Sequence, residues 1–532
     1  MRITNATARV LGKELGTYEQ CKIPICVQGK RINLTPQYIS LLFRTKTSTT
    51  ETFIDDRRTP QEDTETKNGL LLCSYVGNGA LGSGVSYGAH ELSTHTPEEV
   101  RRVAHAELDM VVKVAGQTYL TGIGERIMRT SPQQLSPLGY REKHVFRDQE
   151  SQKEDPERLR QLLEWSVQPM VQAGIPVSTT LILTEEESIF RDSLGSDIRQ
   201  FTERIGIEYT LKGLDRQGRD LERSTTLHFA GREQVTAHIL ERRVQRLLRE
   251  FKAAQRAITI NSGSYPILLE GTATGTMIHE ALAAHLLSGK YIAQGDSTVY
   301  GEGRLDELVL PHWLTIIDDP TLPGGFGSYR HDHEGTPAQP AVLIDHGILK
   351  EYLLDVESAA LLSRRLGRDM RSNGRARSSW VRDDENKPLI PEPRVTNLEV
   401  VIDKDYLLTK KAIRQRFLQE IENSGAPYGL IVEGGGGEVT IKEGQFILLP
   451  RIVWCYNARG RRAMARVESI IGHADHFFEQ TVAVGEPYRS AYGMCGAESG
   501  WVSTQERAPS FLLSSATAIA EPKDTRTRRL IY

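Results

Sequence analysis

Five cysteines in 532 residues, no long apolar run and almost no net charge define this chain first by what it lacks. Cys21, Cys26, Cys73, Cys455 and Cys495 are too few and too scattered for a disulfide framework, which points to a reducing compartment. No segment approaches the roughly 20 continuous apolar residues that span a bilayer. The first residues, MRITNATARVLGKELGTYEQ, lack the apolar core of a secretory signal. With 66 Lys and Arg against 69 Asp and Glu, the net charge of -3 gives no electrostatic reason to expect nucleic acid or an anionic membrane as partner. The expected location is the cytoplasm.

What is present is the composition of an ordinary globular protein, 39% apolar and 25% charged. The length calls for more than one hydrophobic core. Up to about residue 257 strand-like and helical signals alternate. Thr96-Pro97-Glu98-Glu99 is a capping box ahead of Val100, Val103, Ala104, Leu108, Val111 and Val112 at helical spacing. Asp155-Pro156-Glu157 opens a second helix. A third carries Leu240, Val244, Leu247, Leu248, Phe251 and Ala254 on one stripe, and its basic side (Arg242, Arg243, Arg246, Arg249, Lys252) reads most simply as a solvated face. Strand signals dominate after residue 258, at Trp313–Ile317, Ala341–Ile344, Leu398–Ile402 and Gln445–Val453. The polar stretches Thr45–Lys67 and Asp383–Pro393 read as loops. The expected domains are therefore residues 1–257 and 258–532. A G-x-G-x-x-G at Gly77–Gly82 is followed by Ser83-Gly84-Val85, poor helix material, so a glycine-rich strand-turn-strand is preferred there over a dinucleotide site.

The chemistry concentrates in Thr274–Leu287. A threonine cap, good helix formers and Gly289 as terminator predict one short helix, apolar around most of its surface and so buried. It holds His279, Glu280 and His285, groups that are costly to bury unpaired. A divalent metal would resolve that cost, since neutral imidazoles bind zinc and a neighbouring carboxylate can activate its water. The simpler reading is a polar pair satisfied by backbone. The residues alone favour that simpler reading, and spacing does not rescue the metal: residues six apart lie about 120° from one another on a regular helix. His279 and His285 can share a metal only if the helix bulges or unwinds.

The segment resembles the active-site helix of the TldD/PmbA peptidases, which carry H-E-x-x-x-H on a distorted helix. Similarity continues in order through Val309–Pro320, Leu322–Tyr329, Asp332–Pro337, Val342–Lys350, Asn373–Ala376 and the Gly434–Gln445 turn. It ends at Cys495-Gly496-Ala497-Glu498-Ser499-Gly500, which is similar to the family's C-G-x-x-G-Q. The N-terminal half resembles the family mainly in layout and around Tyr87–Glu107.

The resemblance implies an α+β protein with an N-terminal α/β domain and a β-rich, barrel-like C-terminal domain that binds zinc. His279 and His285 would be imidazole ligands, Cys495 the thiolate ligand and Glu280 the general base. His285 stands one residue later than the family pattern, where Ala284 occupies the expected position. Either a larger bulge still delivers His285, or the metal affinity is lost. The implied function is hydrolysis of unfolded or short peptides by a homodimer or a heterodimer with a PmbA-like chain. The rival is a non-catalytic peptide-binding subunit. His473 and His476 are an i, i+3 pair that reads as surface or supporting histidines, and Asp332, His333 and Glu334 are candidates for a place near the substrate.

Overall fold

Alternating threonines in Thr45–Thr49 and Thr64–Thr66 favour an extended chain, because a β-branched side chain fits a pleated surface. In the computed structural model this stretch is a long hairpin, not a loop. Strand β1 (Pro36–Ile54) pairs antiparallel with β2 (Arg57–Val76), and Thr49 meets Thr64 across the pair at 3.2 Å. The structure describes residues 23–27, 30–34, 36–55, 57–76, 83–88, 102, 142–148, 156–297, 299–379, 389–440 and 444–521. The helix expected after Thr96, the glycines at 77–82 and most of 383–393 lie outside them.

The first sheet continues with β3 (Ser83–Gly88) on β2. After helix α1 (Pro156–Ser166) come β4 (Val177–Asp192), β5 (Asp197–Leu214) and β6 (Asp220–Phe229), in the order β3-β2-β1-β4-β5-β6. Helix α2 (Ala237–Ala254) starts at Thr236, whose hydroxyl accepts from the Ile239 N–H. Its stripe of Leu240, Val244, Leu247, Phe251 and Ala254 is buried with Leu159 and Leu163 of α1 against Leu181, Ile205, Ile207 and Tyr209 of the sheet.

The second half is built on a sheet that closes on itself. Strand β7 (Gly263–Leu269) is followed by helices α3 (Gly271–Ile278) and α4 (Gly289–Gln294). Next come β8 (Leu314–Asp318), β9 (Ala341–Asp345), α5 (Val356–Leu366), β10 (Asn397–Ile402) and α6 (Lys410–Ser424). The chain then forms β11 (Gly429–Val439), β12 (Gln445–Tyr456), β13 (Arg462–His473), β14 (Thr481–Ala497) and β15 (Gly500–Ala520). The four strands expected here are β8, β9, β10 and β12. Pairing runs β7-β11-β12-β13-β15 and back to β7, a ring of five. Strands β14 and β10 flank the first half of β15, and β8 and β9 extend the sheet outward. Alternation sorts the side chains: Ile267 and Leu269 join the main core, while Leu268, Ile431 and Leu512 face Ile413, Phe417 and Ile421 of α6. The architecture is α+β with a barrel-like second half.

Helix α3 lies along β14 and β15 through two glycines. A Cβ at Gly271 would strike the Ala508 carbonyl, and one at Gly275 would stand 2.9 Å from Glu506 Cβ. Residues 271, 275 and 279 share one helix face at i, i+4 spacing, so the close approach carries His279 onto β15. Two sequence-level assignments shift. The helix begins at Gly271, so Thr274 is internal and its hydroxyl donates to the Leu269 carbonyl (3.2 Å) instead of capping. Gly289 does not end a helix but opens α4, where its N–H donates to Leu353 O and a side chain would collide with Leu354.

The sheets meet through polar contacts: Arg204 Nη2 donates to Ser328 O (2.6 Å), Gln200 Nε2 to His331 O (2.7 Å) and Arg44 Nη1 to Ser378 O (3.0 Å). Three histidines sit in this seam. Burial holds His228 and His331 down to about 4, and burial with the Arg44 charge holds His333 well below the ordinary imidazole range.

Two outcomes follow. Gly275→Ala adds a methyl where Glu506 already sits, and overpacking of this kind costs about 1–3 kcal/mol; urea unfolding should show the loss, while Gly303→Ala, with open space around it, shows none. For the histidines, a folded-state pKa below the unfolded value of about 6.5 means the unfolded chain binds more protons. Their contribution is intact above pH about 6.5 and lost as pH falls toward 4. His228→Phe should therefore flatten the decline in melting temperature from pH 6.5 to 4; an unchanged slope would refute the assignment.

Candidate active site

The fold brings three of the site groups together from distant parts of the sequence. His279 follows the last turn of α3, Cys495 lies on β14 opposite Val502 of β15, and Glu506 lies four residues further along β15. All three are buried. Nδ1 of His279 is 2.8 Å from Glu506 Oε1, and the imidazole also hydrogen-bonds the Cys495 side chain. Arg394 joins from the strand-end after Pro393: Nη2 donates to Cys495 O (2.6 Å), and Nη1 donates to Ser499 Oγ (2.7 Å) and Gly500 O (2.8 Å). This guanidinium clamps both sides of the β14–β15 turn and also contacts the Cys495 side chain.

Each charge here is set by its neighbours. Burial alone would raise the Cys495 thiol, but His279 and then Arg394 pull it down to about 6. Burial works against a charged His279, and Cys495 and Glu506 override it, so the imidazole is held well above its ordinary value. The same contact holds the thiol low and the imidazole high, the depressed-pKa environment of reactive and metal-binding cysteines. Burial pushes Glu280 up to about 7; His279 opposes this, while Cys495, Glu506 and Glu438 add to it.

The helix that delivers these groups is widened. Residues His279–Ala283 form a π-helical turn in which Ala284 N–H reaches back to His279 O (2.9 Å), five residues away, and Leu287 N–H to Leu282 O (3.1 Å). Glu280 is half-buried against the glycine ribbon of β11: a Cβ on Gly437 would be 2.7 Å from Glu280 Cγ. The ribbon is tied to α3, with Gly434 N–H donating to Thr272 Oγ1 (2.9 Å).

His285 does not reach the His279–Cys495 pair. Its Nε2 is 3.9 Å from Glu280 Oε2, its ring lies 6.4 Å from that of Tyr291, and burial first, then the His279 charge, hold it down at about 4. Beside it Tyr291 donates to Glu498, and Lys290 pairs with Glu392. Among the described residues, no three His, Cys, Asp or Glu side chains converge as a metal-holding group. The donor chemistry still fits a metal at the pair: a thiolate and an imidazole in contact, with a carboxylate on the second ring nitrogen, is how ligating histidines are oriented.

The other candidates stand apart. His476 is exposed and pairs with Glu479 (3.1 Å), with His473 beside it at a ring separation of 5.6 Å. Asp332 accepts from the N–H groups of Glu334, Thr336 and Ala376, and Glu334 accepts from Val356 N–H. His333 bonds to Ser378, whose neighbour Ser379 donates to Ser499 O, so this loop backs the β14–β15 turn without entering the site. Cys455 is a core thiol, pushed up to about 11 by burial. Glu506 and Arg394 were not among the sequence candidates. Neither has a local motif, because their partners are 227 and 101 residues away.

Residues 262–519 match the PmbA/TldA metallopeptidase C-terminal domain. The chain is 29% identical over 259 residues to the metalloprotease TldD homolog of Buchnera aphidicola subsp. Schizaphis graminum, covering 48% of each. It is 27% identical over 343 residues to a metalloprotease of Methanothermobacter thermautotrophicus, covering 64% of this chain and 69% of that one. The chain thus spans about half the length of the Buchnera relative it matches. In fold it is similar to TldE from Thermococcus kodakarensis, with a TM-score of 0.65 at 14% identity over 91% of this chain and 97% of that one. No helix among the described residues is long and apolar enough to cross a membrane. Residues 262–519 thus form a domain of the PmbA/TldD family.

Proposed function

We propose that this chain is a zinc-dependent peptidase acting on unfolded or short peptides. The observation that carries the proposal is the buried contact of His279 with Cys495 beneath Glu506. In this reading His279 and Cys495 hold the metal, and His285 completes the set by swinging past Glu280 on the widened turn. The bound metal supplies a Lewis acid for the scissile carbonyl and an acidified water. Glu506 fixes the ring of His279, and Arg394 fixes the backbone of Cys495. Glu280, against the glycine ribbon, takes a proton from the attacking water and returns it to the leaving amine. A cytoplasmic dimer, with itself or with a PmbA-like chain, and a domain boundary between 257 and 258 belong to the same proposal.

One feature favours a second reading, a metal-free subunit that binds peptide without cutting it. His285 lies 3.9 Å from Glu280 and beside Tyr291, and no three metal donors converge among the described residues.

Elemental analysis separates the two. The peptidase reading expects one zinc per chain in the wild type, lost in Cys495→Ala and in His285→Ala. Loss in the cysteine variant alone removes His285 from the ligand set, and absence of metal after reconstitution selects the second reading. Glu280→Gln should keep the zinc and abolish hydrolysis of a short unfolded peptide, a loss of at least 100-fold for a general base. Full residual activity would remove Glu280 from the mechanism.

A further inference from the structure

The basic side of α2 is not simply a solvated face. Arg242, Arg249 and Lys252 are exposed, but Arg243 and Arg246 turn into the seam between α2 and the barrel. There Arg246 Nε pairs with Glu250 Oε1 (2.6 Å) and Arg246 also reaches Glu433, while Arg451 Nη1 pairs with Glu250 Oε2 (2.8 Å). Two further arginines adjoin this network without an ion pair of their own among the described residues. Arg243 makes no hydrogen bond or ion pair among the described residues, and its Nε is fully buried. Arg223 of β6 donates only to Arg451 O (3.3 Å) and to the Met464 sulfur (3.7 Å), and its Nε too is buried and unpartnered.

The local count leaves a surplus. Arg223, Arg243, Arg246, Arg451 and Arg466 carry five positive charges against the three of Glu250, Glu433 and Glu521, an excess of two. Both unmatched arginines feel the same neighbours, Arg451 and Glu250, so they bound one region. The nearby carboxylates are already engaged: Glu521 with Arg466 (3.7 Å), Glu270 with Arg414 (3.1 Å), and Asp215 with Arg466 (2.9 Å) and Arg219 (2.7 Å). Both arginines are half-buried, each with a buried Nε that lacks a partner, and a guanidinium fork suits an oxyanion that accepts several N–H bonds at once.

We propose that Arg243 and Arg223, around Arg451, form a binding site for a dianionic oxyanion of the phosphate class. The site lies between α2, β6 and the β12–β13 hairpin, and a bound anion would tie the first half of the chain to the barrel. It is independent of the metal chemistry proposed above. Free phosphate and a phosphate ester present the same group to these arginines.

Thermal melts and calorimetric titration with inorganic phosphate, AMP and sodium chloride at matched ionic strength test the proposal. Phosphate or AMP should raise the melting temperature saturably above the chloride control. Phosphate acting alone identifies the free ion, and AMP acting more strongly identifies an ester. Arg243→Met and Arg223→Met should each weaken the affinity at least tenfold, while Arg242→Met leaves it unchanged. In chloride Arg243→Met should melt no lower than the wild type, because it removes an unmatched cation. No anion response beyond chloride, an undiminished response in Arg243→Met, or a lower melt of that variant in chloride would each overturn the site.

Discussion

The close contact between α3 and the strands beneath it governs the second half of this protein. Two glycines remove the side chains that would hold the helix off β14 and β15, and the third residue of the same face is His279. A helix kept at ordinary distance by Cβ atoms could not present its imidazole to Glu506 and Cys495 together. The π-helical turn begins at that histidine, so the backbone departs from regular winding where the buried polar groups enter. Widened turns of this kind are frequent at functional sites.

Charge is managed in the same few residues. Three groups that would each be expensive to bury alone are buried as a set, the thiol of Cys495, the imidazole of His279 and the carboxyl of Glu506, with Arg394 holding the turn beside them. Cys495 and Glu506 together hold the imidazole above its ordinary value despite its burial. Elsewhere the fold uses a fully buried pair for structure alone. Arg375 Nε donates to Asp318 Oδ2 (2.6 Å), and the same carboxylate accepts from Thr396 N–H (2.7 Å), pinning β8 to the chain before β10. Removing one partner of such a pair typically costs 3–5 kcal/mol.

Much of this was legible in the residues, and the exceptions have physical causes. The stripe on α2 and the strands β8, β9, β10 and β12 carry strong periodic signals, and structure follows them. The helix with His279 and Glu280 was legible, as was the need for a distortion, because six residues do not fit a regular turn. Its ends were not: Thr274 and Gly289 are residues whose local preference is to start or stop helices, and tertiary contacts with Leu269 and Leu353 reassigned both. Thr45–Lys67 looked like a loop because it is polar, yet polar β-branched residues pair well in an exposed hairpin. Glu506 and Arg394 could not be found at all, since their meaning comes only from partners far away in sequence. The arginines of α2 were read by helical position, which says which side they leave from and not what approaches that side.

Strand β15 has a consequence for how the molecule opens. Its 21 residues pair with β7, β10, β13 and β14, so the strand that carries Glu506 is also the one that closes the ring. Partial opening that spares a site is common where functional groups sit on a detachable loop. Here the site sits on the half of β15 that pairs with β10 and β14, and the ring closes on the other half, at Phe511–Ala520. Amide protons along Ser503–Leu513 should exchange slowly, and the histidine–cysteine contact lasts for as long as β14 stays paired to that half of the strand.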